Sequence, residues 1–352
     1  MSVQATIERD GSTRGFADDD LGLPAEPPGP VVAVCAAAMV AGFLTSPDIL
    51  IGIGILRRSL TSEVDSIRYT ALVEVWLFRL VCLGIALIPL FWGRLARSSI
   101  ARRVVSHEPR ERAWVDSRSA LWNFSMLASL ACLGVGLAYG TLGQNIFSPA
   151  QVAVIGMEDG VIEYGGAFVL LVCSIVSAIL AFRYRDWRVR AGMLGLFALL
   201  FFAMCGEEIS WGQRILEMET LGLFEKYNYQ QENNLHNMFG FITDHVFFVG
   251  VLLYGTLFPL LASGVPFFRK LFDYIGLPIG SLGLAVGFLA VSCSPMLGRA
   301  LSSPSGPYIT DETLGAELRE LLSAIGFFLL LIEVWRGAPE DDREPAFEAA
   351  PA

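Results

Sequence analysis

Residues able to do chemistry crowd into three short connections between apolar stretches of this chain. The densest runs from Gly206 to Asn237, opening with Gly-Glu-Glu-Ile-Ser-Trp-Gly-Gln-Arg and closing with Gln-Glu-Asn-Asn-Leu-His-Asn. Glu207 and Glu208 are adjacent carboxylates, with Ser210, Gln213, Arg214, Asn233, Asn234, His236 and Asn237 close by in sequence. Carboxylates with an imidazole can hold a divalent metal ion, and a carboxyl in apolar surroundings can act as a general base. On a continuing helix Glu207, Ser210 and Arg214 share one face, and Glu208 points toward a neighbouring helix. Glu232, Asn233, His236 and Asn237 recur at helical spacing before the next apolar run. The plainer alternative is a polar interfacial turn with Trp211 as an anchor at headgroup level.

The second connection carries Glu158-Asp159-Gly160-Val161-Ile162-Glu163. Asp159 and Glu163 are four apart and share a helix face, although acids at a helix start also simply complement its dipole. In the third, Glu317 and Glu320 stand three apart and can face inward, or belong to a solvated turn with Arg319 pairing locally. The candidate catalytic residues are Glu207, Glu208, Ser210 and His236. The candidate metal ligands are Glu163, Glu207, His236 and Asp159, holding a divalent ion. Gln213, Arg214, Asn233, Asn234, Asn237 and Glu320 complete the set. Their spacing matches no standard metal motif such as H-E-x-x-H.

The elements that must position these residues are membrane helices. Of 352 residues 54% are hydrophobic and 17% charged, where a soluble domain carries about 25% charged residues. The apolar residues form eight runs that approach the length needed to cross a bilayer. These predicted spans are Val31–Leu56, Ala71–Trp92, Ala120–Tyr139, Val161–Phe182, Ala191–Cys205 (extended through Ile209), Met238–Leu261, Ile275–Ser292 and Leu318–Trp335. Ser46-Pro47-Asp48 kinks or ends the first. The expected fold is all-α, a polytopic transmembrane bundle of about eight spans over residues 30–336. Acidic tails at 1–29 and 337–352 flank it and are expected to be disordered.

Lys and Arg in the connections set the orientation. Seven arginines lie between spans two and three, four between four and five, and Arg269 and Lys270 between six and seven. With Arg9, Arg14, Arg336 and Arg343 of the tails, that side holds 17 against 6 on the other. Both termini are therefore expected in the cytoplasm of a cell whose plasma membrane holds the protein, and the three polar connections on the outer face. His107 falls in the arginine-rich cytoplasmic loop and is expected to be solvated. The net charge of −10 and the lack of a basic stripe argue against nucleic acid as a partner. None of the six cysteines forms a C-x-x-C pair, so their expected role is packing.

Glu158-Asp159-Gly160-x-x-Glu163, Gly206-Glu207-Glu208-x-Ser210-Trp211-Gly212-Gln213-Arg214 and Asn234-Leu235-His236-Asn237 together resemble an uncharacterised bacterial multi-pass membrane protein family. The likeness covers about residues 150–335. It implies a shared site at these positions and supplies no reaction. A more distant likeness is to alkaline-ceramidase-type membrane hydrolases, with Ser210 and His236 as the comparable residues; the histidine triad of those enzymes is absent.

Three functions are compatible with this pattern. The first is a membrane-embedded, metal-dependent or acid/base hydrolase or transferase acting on a lipid or lipid-linked substrate. The second is an ion-coupled transporter, which calls for polar residues at mid-membrane depth. The third is a non-enzymatic assembly partner, with the acids splayed over a docking surface. The lipid bilayer is the expected partner in all three.

Overall fold

A computed structural model of the chain describes residues 26–27, 29–53, 57–61, 65–108, 120–146, 148, 150–151, 155, 160–213, 215–228, 231–235, 241–294 and 312–337. Among them every regular element is helical and none is a strand. Most of both acidic tails lies outside the described residues.

Local chemistry fixes where the helices break. Helix α1 (Gly29–Leu44) ends where the Thr45 hydroxyl donates back to the Ala41 carbonyl at 2.8 Å. Pro47 then opens the short helix α2 (Pro47–Gly52), with Ser46 as its N-cap, so the first apolar run is broken where Ser46-Pro47-Asp48 predicted. Helix α3 (Arg57–Leu60) is a single turn. Helix α4 (Asp65–Ala86) and α5 (Ile88–Ala96) meet at a 42° bend just before Pro89, which has no N–H to continue the ladder. Helix α6 (Ser99–Val105) is capped by Ser98, whose Oγ accepts from the Ala101 amide.

Helices α7 (Ala120–Ile146), α8 (Val161–Arg183) and α9 (Arg188–Glu208) follow the third, fourth and fifth apolar runs. After the short helix α10 (Gly222–Tyr227) comes α11 (Phe241–Leu252). It continues through a wider five-residue π turn, Leu253–Leu257, into α12 (Phe258–Gly264). Helix α13 (Pro266–Tyr274) is short and amphipathic. The seventh predicted span is shorter than read: 275–281 is turn and extended chain, and α14 runs only from Leu282 to Ser292. Gly276, at φ +68°, and Pro278 stop a helix there, and Ser281 caps the new one by accepting from the Leu284 amide at 3.1 Å. Helix α15 (Glu312–Arg336) closes the bundle.

The main core joins α8, α9 and α15, with Leu170, Leu180, Leu194, Phe201, Leu330 and Leu331 all buried. Helix α8 packs against both α9 and α15, while α7 lies along α14 and α15. Small residues allow the close crossings. A β-carbon on Gly287 would fall 2.2 Å from that of Ser129, and one on Gly255 would fall 2.3 Å from the Phe288 ring. Interfaces of this kind are how helices associate where lipid removes the hydrophobic drive. The N-terminal helices form a separate cluster, in which Val31, Cys35, Trp92 and Ala96 meet Val265.

Val161–Arg183, Arg188–Glu208 and Val246–Gly264 are long and apolar enough to cross a membrane, with a fourth if the bent α4–α5 pair counts as one. Only 33%, 28% and 28% of their most apolar stretches are buried. Phe168, Ile175, Phe182, Leu199 and Phe202 project outward, an exterior that water does not tolerate over such an area.

His107 is not solvated. Its Nε2 lies 2.6 Å from Asp273 Oδ2 and its ring meets Tyr274 edge-on, so it ties the end of α6 to α13. The Lys270 ammonium adds a bond to the Val105 carbonyl.

Candidate functional site

The fifth apolar run ends abruptly. Helix α9 stops at Glu208, and Ser210, Trp211 and Gly212 follow in the left-handed region at φ 47°, 55° and 78°. For the two non-glycine residues this costs about 1–3 kcal/mol each, so surrounding contacts must hold it. The turn folds Trp211 back over Gly206, where a β-carbon would fall 2.8 Å from the indole. The Trp211 Nε1–H donates to Glu207 Oε1 at 2.8 Å. Gly206 leaves room for the ring, and Gly212 accepts the positive φ.

The sequence expectation of one helical face carrying Glu207, Ser210 and Arg214 is therefore corrected: the helix has ended before Ser210. Glu207 serves the loop instead, its second oxygen accepting the Leu235 amide at 2.6 Å. Ser210 Oγ donates to Glu232 Oε2 at 2.8 Å, and Asn234 Nδ2 donates to the same oxygen at 2.6 Å and to Ser210 Oγ at 2.9 Å. Asn228 Nδ2 reaches Asn234 Oδ1 at 3.1 Å and the Glu232 carbonyl at 2.7 Å. Gln213 Oε1 accepts the Asn233 amide at 2.6 Å, and Asn233 Oδ1 accepts that of Leu221 at 2.8 Å. Ser210, Gln213, Asn228, Glu232, Asn233 and Asn234 are all buried. Polar side chains here replace a secondary structure, each satisfying the backbone of another part of the loop. The helical spacing read into 232–237 is likewise not realised at 231–235, which is irregular chain with bends.

This scaffold fixes the end of α9, and Glu208 is what that end presents. One carboxylate oxygen each from Glu208, Glu317 and Glu320 lie within 4.8 Å of one another, with all three side chains half-buried. Glu317 and Glu320 come from the second and third turns of α15, on the face their i, i+3 spacing allows. Two like charges at such a separation repel by about 3.5 kcal/mol at an effective dielectric of 20. Glu208 also sits at the negative end of the α9 dipole, where a carboxylate is disfavoured by about 0.3–1 kcal/mol. A bound cation or protons would relieve this repulsion. Beside it, the Arg319 guanidinium lies over the Phe248 ring, 3.1 Å from its centre.

An all-oxygen set suits a hard cation rather than zinc. Oxygens on opposite sides of a calcium ion at about 2.4 Å stand about 4.8 Å apart, and those around magnesium stand closer. The three carboxylates fit one such ion.

Of the metal set expected from sequence, only Glu163 and Glu207 fall among the described residues, and neither belongs to this group. Glu163 is half-buried in the first turn of α8 and is not one of the three. Glu207 is engaged in the loop. Asp159, Arg214, His236 and Asn237 lie outside the described residues. Glu208 and Glu320 were candidates in other roles, Glu317 was weighed only as a companion of Glu320, and Glu232 was read only as part of a helical spacing with Asn233, His236 and Asn237. Comparison with known protein families, with curated proteins and with solved structures finds no match for this chain.

Proposed function

We propose that this chain is a polytopic plasma-membrane protein of about eight spans with both termini in the cytoplasm. Its outer-face carboxylate centre makes it a metal-dependent hydrolase or transferase of lipid or lipid-linked substrates. The observation that carries this is the convergence of Glu208, from the end of a helix long and apolar enough to cross a membrane, with Glu317 and Glu320 from the beginning of α15. The eight apolar runs and the lysine and arginine bias support the topology.

Glu208, Glu317 and Glu320 would hold the ion, and the hydrogen-bonded loop from Ser210 to Asn234 would keep Glu208 in place. A divalent ion held there supplies Lewis acidity and a more acidic bound water. The apolar faces beside the site would let the acyl or polyprenyl part of a substrate stay in the bilayer while its headgroup meets the acids. Ion-coupled transport is the second reading, favoured by a further buried carboxylate, Glu333, on the same helix as Glu317 and Glu320.

The test is calorimetric titration of the chelator-treated, detergent-purified protein with calcium, magnesium and manganese. One ion should bind per chain, and Glu208→Gln or Glu320→Gln should weaken it at least about tenfold, the size of one lost charged ligand. No divalent binding by the unmodified protein overturns the proposal.

A further inference from the structure

At the end of α15 remote from the acidic centre, Glu333 is 5% exposed. It accepts from the Ser281 amide at 2.7 Å through Oε2 and from the Ser281 hydroxyl at 2.6 Å through Oε1. Ser125, on α7 and 1% exposed, is a neighbour of the same carboxylate, and its buried Oγ has no hydrogen-bond partner. One turn along α7, Ser129 Oγ is also buried and unpartnered, pressed against Gly287 of α14.

Among the described residues no cation touches this carboxylate. Of the charged or titratable groups on the elements around it, Arg183 of α8 lies on the Trp335 ring, and the Tyr184 hydroxyl donates to the Val334 carbonyl. Arg190 of α9 donates to the Gly276 carbonyl, and Asp273 of α13 pairs with His107. A carboxylate in the interior of a helical bundle with hydroxyl partners and no countercharge is a functional group rather than packing. Its surroundings offer donors from one side, at Ser281, and an uncommitted hydroxyl on the other. A serine hydroxyl accepts from a protonated carboxyl or donates to an ionised one, so Ser125 can serve both states.

We propose that Glu333, Ser125 and Ser281 form a proton-binding site, built from α15, α7 and the start of α14, that takes a proton from the aqueous phase at this end of the bundle and releases it again. Uptake forms one carboxyl O–H from one aqueous proton, and no other group changes. The proton-bearing oxygen then donates to Ser125 Oγ. Along α7, α14 and α15, the apolar cluster of Leu133, Val291 and Leu322 separates this site in sequence from the acidic centre.

Infrared difference spectra of the purified full chain, between mildly alkaline and mildly acidic buffer, test this. A protonated-carboxyl stretch should appear on acidification. Glu333→Gln, nearly isosteric and able to keep the Ser281 bonds, should remove it. Ser125→Ala, which leaves the Glu333–Ser281 contact intact, should keep the band but shift its frequency and its pH midpoint. A Glu333 carboxylate that stays ionised throughout, a carboxyl that never releases its proton, or a band indifferent to Ser125→Ala overturns the proposal. Divalent-ion binding at Glu208, Glu317 and Glu320 does not enter this readout, so the two proposals fail separately.

Discussion

At the scale of single residues, the polar loop between α9 and α11 is a scaffold whose members are individually costly to lose. Asn234 donates to Glu232 and Ser210 and accepts from Asn228, all buried. Asn234→Ala is expected to destabilise the protein by about 1–3 kcal/mol, the range for leaving buried partners unsatisfied. The measurement is the thermal unfolding midpoint in detergent. An unchanged midpoint would mean that the loop does not depend on this network. Because the loop fixes the end of α9, the same variant should also weaken divalent-ion binding by way of Glu208. The sequence marked this stretch as unusual for the right reason, its density of polar groups, but assigned the roles by helical spacing. That failed once the chain turned left-handed at Ser210, an event signalled only by the two glycines around Trp211. Glu208 was expected to point toward a neighbouring helix; that its neighbours would be Glu317 and Glu320 required knowing which helix stands beside α9.

At the scale of elements, helix positions were legible and their interruptions only partly so. Apolar run length located α8, α9 and the C-terminal end of α15 within a few residues, and Ser46-Pro47-Asp48 marked the first break, whereas the bend before Pro89 fell inside a span read as continuous. The late start of α14 was missed because Gly276, Pro278 and Gly280 sit in an otherwise continuous apolar run. Pairing of helices leaves even less trace, since it depends on small residues meeting across the chain. The crossing of α7 and α14 is the sharpest case. Gly287→Ala should cost about 1–3 kcal/mol by overpacking against Ser129, and Ser129→Gly should restore much of it. Unfolding midpoints of the two single variants and the double variant check the coupling; strict additivity would show that the helices do not touch there.

At the scale of the whole molecule, orientation decides which side each site serves. In intact cells, a membrane-impermeant thiol reagent should label Ser148→Cys, an exposed position between α7 and α8, and should reach Ser106→Cys, exposed at the end of α6, only after permeabilisation. The reverse pattern would invert the topology and place the acidic centre inside. The π turn at Leu253–Leu257 matters at this scale too. A helix turns about 100° per residue, so the additional residue in that wider turn resets the rotational phase of everything after it. Deleting one residue there would restore a regular helix and swing α12 about its axis. Pro259 and Ala262 would leave the interior, and α13 would turn with them. The N-terminal helices rest on Val265, Phe267 and Phe268, so this one irregular turn acts as the angular setting by which the front of the chain is joined to the rest.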